Sequence, residues 1–229
     1  MMIKCLCPKC NIDLLTNHLL DDYDVLPARN KSRIIHPACS SCGYFIQLTD
    51  VSSNIKKDRK ALIINGTGGA GKSSLGQLIE SETEYVFIDG DSISRRESHY
   101  ARITPNITQR SRDINGLCTE ETIDTMLIVC ALGYNVVVGY LIINDVVLSM
   151  YVGALAMYSI TPIVRILMPQ LNICIERDLN RACWTAGELW VNKPYSELGK
   201  FLELYPLCCL DTSFESLEET FIMHFKKLL

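Results

Sequence analysis

One eight-residue stretch constrains the fold of this chain more than any other: Gly66-Thr67-Gly68-Gly69-Ala70-Gly71-Lys72-Ser73. It matches the pattern G-x-x-x-x-G-K-[ST] completely, follows an apolar segment at 61–65 and opens a helical one. Glycines let the backbone curl so that successive N–H groups face a phosphate, and the helix N-terminus adds partial positive charge. In this pattern the lysine reaches the β- and γ-phosphates and the hydroxyl ligates Mg²⁺. The sequence therefore predicts a nucleotide site that runs from Gly66 through Ser73 to Ser74.

The segments around this loop alternate between two patterns. Short, apolar and often β-branched segments lie at 61–65, 85–88, 134–140, 163–168 and 207–210. Helical patterns lie at 72–81, 120–132, 146–157, 171–181, 196–204 and 217–228. Such alternation is typical of an α/β fold with a parallel sheet and helices on both faces.

Composition excludes several classes of protein. Hydrophobic residues make up 48% of the 229 residues and the net charge is only −4, so neither disorder nor a charge-driven coat on nucleic acid is expected. Residues 125–144 and 146–164 carry no charge, but glycines, asparagines and Pro162 interrupt them, which favours buried strands and helices over membrane spans. The N-terminus lacks the pattern of a secretory signal, and the eleven cysteines are an odd number. We therefore expect a cytoplasmic protein with reduced thiols and no membrane partner.

Two carboxylates follow the second strand-like segment, in Asp89-Gly90-Asp91-Ser92. On an extended tip, side chains at i and i+2 point the same way. One could hold Mg²⁺ while the other accepts a proton from, or orients, an acceptor hydroxyl. Asp89 is the candidate for the base and, beside Ser73, for magnesium; Asp91 is the candidate contact to the substrate, and the pattern leaves this division open. The same four residues also suit a turn and a helix N-cap.

These motifs resemble those of the small-molecule P-loop kinases, among them the adenylylsulfate, shikimate, gluconate and nucleoside monophosphate kinases. The resemblance covers about residues 61–229 and includes Glu176-Arg177-Asp178 followed by Arg181. It implies five parallel strands with the P-loop strand central, ATP and Mg²⁺ as cofactors, and arginines on a mobile lid that closes over the phosphates. Arg177 would then be catalytic and Arg181 would bind the nucleotide. The alternative is a pair of charges on a solvated helix face.

An arginine cluster lies between the second and third strand-like segments of an otherwise acidic region. Arginine suits bidentate binding of phosphate, sulfate or carboxylate. We therefore expect an anionic acceptor, with substrate-binding candidates drawn from Arg95, Arg96, Arg102, Arg110 and Arg112. The alternative is a solvated helix and loop.

The N-terminal region has a different chemistry. Residues 1–60 hold nine Lys and Arg against six Asp and Glu, whereas the remainder holds thirteen against twenty. Two C-x₂-C pairs, Cys7/Cys10 and Cys39/Cys42, can place four thiolates on one tetrahedral Zn²⁺. Cys5 and His36 are substitutes for one ligand, and a redox pair or unliganded thiols are the alternatives. We predict a structural zinc-ribbon module over residues 1–56, followed by a P-loop kinase domain over 57–229.

The leading prediction is a kinase that transfers phosphate from Mg·ATP to a hydroxyl of a small, anionic molecule. A polynucleotide or RNA kinase is the first alternative, with the ribbon as a nucleic-acid grip, although bulk charge does not favour nucleic acid as a partner. A nucleotide-binding switch or adaptor, with the ribbon docking a partner protein, is the second. The sequence names neither the acceptor nor the base of the nucleotide, and it does not give an oligomeric state.

Overall fold

The computed structural model describes residues 9–12, 41–42, 46–52, 55, 58–91, 93, 107–181 and 185–229, without the side chains of 50 and 107–118. Five strands form one sheet: β1 (Lys60–Gly66), β2 (Tyr85–Asp89), β3 (Asn135–Gly139), β4 (Thr161–Leu167) and β5 (Cys209–Leu210). Every neighbouring pair is parallel, and the order is β2-β3-β1-β4-β5. The predicted parallel sheet is confirmed. The central strand is β1, which leads into the glycine-rich segment 66–73, called the phosphate loop below.

Seven helices accompany these strands in the described residues: α1 (Leu48–Val51), α2 (Lys72–Glu82), α3 (Ile107–Ala131), α4 (Asp145–Met157), α5 (Leu171–Leu179), α6 (Glu188–Leu204) and α7 (Leu217–His224). Two of them begin eight or more residues earlier than predicted. The helix predicted at 120–132 starts at Ile107, and the one predicted at 196–204 starts at Glu188 and continues through Pro194. Val191, Pro194, Leu198 and Phe201 are all buried at helical spacing, so packing offsets the cost of an internal proline.

Alternate residues along the strands face two separate hydrophobic layers. On one face, Ala61, Ile63 and Val138 pack with residues of α3, α4 and α6. On the other, Leu62 and Ile64 pack with residues of α2 and α7. Helices therefore cover both faces, as predicted, and the charge-free runs are the end of α3 with β3 and then α4 with β4. Among the described residues, no helix has the combination of length and apolar character that a bilayer crossing requires.

A third cluster lies where α3 ends and the chain turns into β3. Ile128, Ala131 and Leu132 pack there against Ile46 and Val51. Cys10 and Cys42, 32 positions apart in sequence, both contact this cluster and are half-buried. Because β3 starts just after Leu132, this cluster lies at the amino edge of the sheet, opposite the phosphate loop.

Candidate active site

The phosphate loop joins the carboxyl end of β1 to the first turn of α2, as the pattern predicts. Gly69 and Gly71 both have positive φ, +74° and +97°, a conformation that side chains with a Cβ rarely adopt. An ideal Cβ at Gly69 would lie 2.0 Å from the carbonyl oxygen of Cys174 in α5. The tip of the loop therefore packs backbone against backbone on α5, and only glycine fits there.

Helix α6 contacts the loop on its other side. The Thr67 hydroxyl donates a hydrogen bond to the carbonyl oxygen of Val191, at 3.0 Å, and both residues are buried. An ideal Cβ at Gly68 would lie 3.2 Å from Val191 Cγ2 and 3.4 Å from Asp178 Oδ1. Helices α5 and α6 thus fix the loop from two directions.

Lys72 is buried beneath the loop. Its Nζ donates a hydrogen bond to the carbonyl oxygen of Thr67, at 2.9 Å. Burial lowers the pKa of Lys72; the carboxylates of Asp91 and Asp89 oppose this shift, whereas the positive charge of Arg181 adds to it. Four residues predicted separately from the sequence therefore share one electrostatic neighbourhood.

The two carboxylates after β2 do not lie side by side on an extended tip, and that part of the prediction is wrong. Strand β2 ends at Asp89, and the backbone of Gly90 and Asp91 is already helical. The Asp91 N–H donates to Asp89 Oδ1 at 3.3 Å, which is the capping arrangement expected from the turn alternative. Asp89 is buried, whereas Asp91 is exposed. Gly90 is required because its ideal Cβ would lie 2.4 Å from the Tyr140 ring.

Asn65 is a buried organising residue that sequence reasoning missed. Its Oδ1 accepts hydrogen bonds from the N–H groups of Gly66 and Ile142, and its Nδ2 donates to the Ile142 carbonyl. These three bonds, of 2.7–2.8 Å, tie the start of the phosphate loop to the segment after β3. The sequence signal that could have identified Asn65 is its position as a polar residue at the end of an apolar strand-like segment.

Arg177 lines a cavity of about 320 Å³ that adjoins the phosphate loop. Its Nη2 donates to the Thr212 carbonyl at 3.4 Å. Gly71, Ser74, Glu215 and Thr220 also line this cavity. Arg177 is thus placed beside the loop rather than on a solvated helix face.

Several predicted site residues lie outside the described residues, or have a described backbone without a described side chain. Arg95, Arg96 and Arg102 are not described, and Arg110 and Arg112 lie in α3 without described side chains. Of the predicted zinc ligands, Cys7 and Cys39 are likewise not described. Within the described residues no group of three or more His, Cys, Asp or Glu side chains could hold a metal ion. The arginine and zinc assignments therefore remain predictions.

The sequence matches no protein-family model and no curated protein. The fold, however, is similar to that of solved structures. The tunicamycin resistance protein of Deinococcus radiodurans aligns with a TM-score of 0.51 at 13% identity, over 71% of this chain and 91% of that one. A gluconokinase from Sinorhizobium meliloti 1021 aligns with a TM-score of 0.50 at 15% identity, over 72% and 88%.

The deoxyadenosine kinase of M. mycoides, with bound dATP, also aligns with a TM-score of 0.50, at 14% identity over 75% of this chain and 100% of that one. At such low identities the similarity establishes the fold alone. The chain therefore has the same α/β fold as these structures, and Lys72 and Arg181 interact electrostatically beside the phosphate loop, at the carboxyl edge of the sheet.

Proposed function

We propose that the protein is a kinase that transfers a phosphoryl group from Mg·ATP to a hydroxyl of a small, anionic molecule. The observation that carries this proposal is the position of Lys72, buried under a glycine-rich loop with Asp89, Asp91 and Arg181 around it. Among the described residues, the Lys72 ammonium group donates a hydrogen bond only to its own loop, so its positive charge can interact with a bound anion. Phosphoryl transfer needs mainly such positioning and charge stabilisation.

The loop and the adjoining cavity fit a nucleoside triphosphate. The N–H groups of Gly69, Gly71 and Lys72 donate no hydrogen bond to any other described residue, so they can bind phosphate oxygens. The cavity beside Gly71 and Ser74 has room for a base and sugar, and Arg177 is one of its lining residues. Residues 66–74 would hold the phosphates, and Arg181 would add a positive charge beside Lys72.

Magnesium chemistry would draw on Ser73 and Asp89. Ser73 lies in the first turn of α2 and Asp89 ends β2, so both lie at the carboxyl edge of the sheet. Mg²⁺ would neutralise charge on the phosphates. The exposed carboxylate of Asp91 is then the better placed of the two to orient an acceptor hydroxyl, and Asp89 would remain its capping partner. At least one arginine of the cluster would bind the anionic group of the acceptor; the candidates are Arg95, Arg96, Arg102 and Arg110.

A screen with γ-labelled ATP and fractionated metabolite pools tests the proposal. We expect label on a small anionic acceptor with the wild-type chain and with Lys200→Ala, a surface control, and none with Lys72→Met. Label on a 5′-hydroxyl RNA oligonucleotide alone would replace the small-molecule acceptor with a polynucleotide. Tight ATP binding with no labelled acceptor of either kind would indicate a switch or adaptor instead.

We also propose that Cys7, Cys10, Cys39 and Cys42 bind one structural Zn²⁺. The supporting observation is that Cys10 and Cys42, one from each C-x₂-C pair, contact the same apolar cluster at the end of α3. Four thiolates leave no open coordination position, so the metal would stabilise this segment rather than take part in catalysis.

Elemental analysis of the purified chain tests the zinc site. We expect one zinc per chain, lost in Cys42→Ser and retained in Cys209→Ser, because Cys209 lies in β5 away from this cluster. A wild-type chain without zinc, purified without chelators, would contradict the proposal.

A further inference from the structure

Asp178 is a buried ionisable residue of the described chain that has no role in the function proposed above. It lies in the last turn of α5 and is 1% exposed, yet it carries a carboxylate. Its Oδ2 accepts a hydrogen bond of 3.0 Å from the Gly187 N–H, just before α6. Its Oδ1 accepts no hydrogen bond in the described part of the chain. A buried carboxylate oxygen without a hydrogen bond costs free energy, so the negative charge needs an explanation.

The hydrogen bond to Gly187 does not explain the charge. A neutral asparagine could accept the same bond with its amide oxygen and would avoid most of the cost of burying a charge. Among the described residues, only Arg181 forms an ion pair with the negative charge of Asp178. The Nε atom of Arg181 lies 3.5 Å from Asp178 Oδ1, the separation of an ion pair rather than of a good hydrogen bond.

The way in which Asp178 holds Arg181 leaves most of the guanidinium available. Asp178 is paired with Nε, and the two terminal nitrogens have no partner among the described residues. The Arg181 side chain is 34% exposed, and its charge affects Lys72. Asp178 itself lies against the loop, since an ideal Cβ at Gly68 would lie 3.4 Å from its Oδ1. An arginine gripped at Nε can still present both terminal N–H₂ groups to a phosphate.

We infer that Asp178 is a positioning residue, which holds Arg181 by its Nε atom so that the terminal nitrogens are ready for the phosphates of the nucleotide. This inference rests on the proposed function, because it assigns Arg181 to the same phosphate site. It differs from a mobile arginine that reaches the phosphates only on closure, because a buried carboxylate three positions away already pairs with the Arg181 Nε atom. The Arg181 side chain then loses its conformational entropy during folding, so nucleotide binding does not bear this cost.

A double-mutant cycle on the full chain tests the inference, with the dissociation constant of Mg·ATP measured by calorimetry. Arg181→Ala should weaken binding about 10- to 100-fold, the usual effect of a charge-assisted hydrogen bond. Asp178→Asn should weaken it about 5- to 10-fold in the wild-type background, but less than about twofold when Arg181 is already alanine. Glu176→Gln, an exposed change on the same helix, is the matched control and should have no effect.

The free energy of unfolding without nucleotide separates positioning from a merely structural role. We expect Asp178→Asn to unfold at the same urea concentration as the wild type, or a higher one, because the mutant keeps the Gly187 bond and loses a buried charge. A clear loss of stability, or equal losses of ATP affinity in both backgrounds, would overturn the inference while leaving the kinase proposal intact. A wild-type chain that binds Mg·ATP no better than Lys72→Met would overturn the kinase proposal, and this inference with it.

Discussion

At the carboxyl edge of the sheet the phosphate loop packs backbone against backbone, whereas at the amino edge α3 ends in ordinary apolar side-chain packing. Gly69 meets the Cys174 carbonyl, and Asn65, Thr67 and Lys72 are buried with hydrogen-bond partners. At the opposite edge, Ile128, Ala131 and Leu132 pack on Ile46 and Val51.

The two edges should therefore respond differently to the same kind of change. Atoms cannot be added at Gly69 without moving backbone, and a neutral polar side chain such as that of Asn65 cannot be removed without leaving its partners buried and unsatisfied. The amino edge should tolerate swaps of similar volume and should lose stability in proportion to the apolar surface removed.

The largest expected effect is that of Gly69→Ala. The added methyl would lie 2.0 Å from the Cys174 carbonyl oxygen, and the residue has φ +74°. We expect the free energy of unfolding to fall by about 4 kcal/mol or more in urea titrations. Wild-type stability would show that the loop does not rest on α5 as described.

Lys72→Met should have the next largest effect, and in opposite directions on activity and stability. Phosphoryl transfer should fall by about 10²- to 10³-fold or more, because a charge at the reacting phosphate is lost. The unfolding free energy should rise by about 1 kcal/mol, because a buried charge is removed while the Thr67 carbonyl still accepts a hydrogen bond from the Ala70 N–H. An equal loss of both activity and stability would contradict this separation of roles.

The stability gain of Lys72→Met should depend on pH in a defined direction. Burial lowers the pKa of Lys72 from 10.5, so the folded state bears the cost of the charged form at any pH below that lowered pKa. The gain should be full there and should shrink as the pH rises from the lowered pKa towards 10.5. Urea titrations of both chains at neutral and alkaline pH provide the measurement. A stability gain that grows with pH would contradict a lowered pKa for Lys72.

Leu132→Ala probes the amino edge. Leu132 is buried in the cluster that α3 forms with residues 46–51. We expect a loss of about 2–3 kcal/mol in unfolding free energy, typical of a truncated core leucine, with no change in the affinity for Mg·ATP. Leu202→Ala, at an exposed position of α6, is the control and should change stability by less than about 0.5 kcal/mol. A loss of ATP affinity in Leu132→Ala would show that the two edges are not independent.

The smallest effect is expected from Gly153→Ala, the same substitution as Gly69→Ala at an open site. Gly153 is exposed in the middle of α4, and no atom lies within 4 Å of its ideal Cβ. Alanine should raise the unfolding free energy by about 0.5–1 kcal/mol through helix propensity alone. A destabilised variant would reveal packing on this helix face that the described residues do not show.

Much of the fold could be predicted because its signals are local. The phosphate-loop pattern placed β1, the turn and α2, and apolar runs placed the other strands with small errors at their ends. The predictions that failed depended on tertiary packing, which local sequence patterns do not record. Helix α6 runs through Pro194 because its buried face outweighs the proline, and β5 is only Cys209–Leu210, after a 3₁₀ turn at Pro206–Cys208.

The sequence by itself determined the chemistry at the carboxyl edge: a glycine-rich loop, a lysine and nearby acidic and basic residues. Only the tertiary structure decided how they are arranged. Asp89 is a buried cap that does not lie beside Asp91 on an extended tip. Asp178, which the sequence showed only as part of Glu176-Arg177-Asp178, is the buried partner of Arg181. The physical reason is that burial and ion pairing arise from segments distant in the chain. A local pattern records which groups are present but not which water-excluded neighbours they meet.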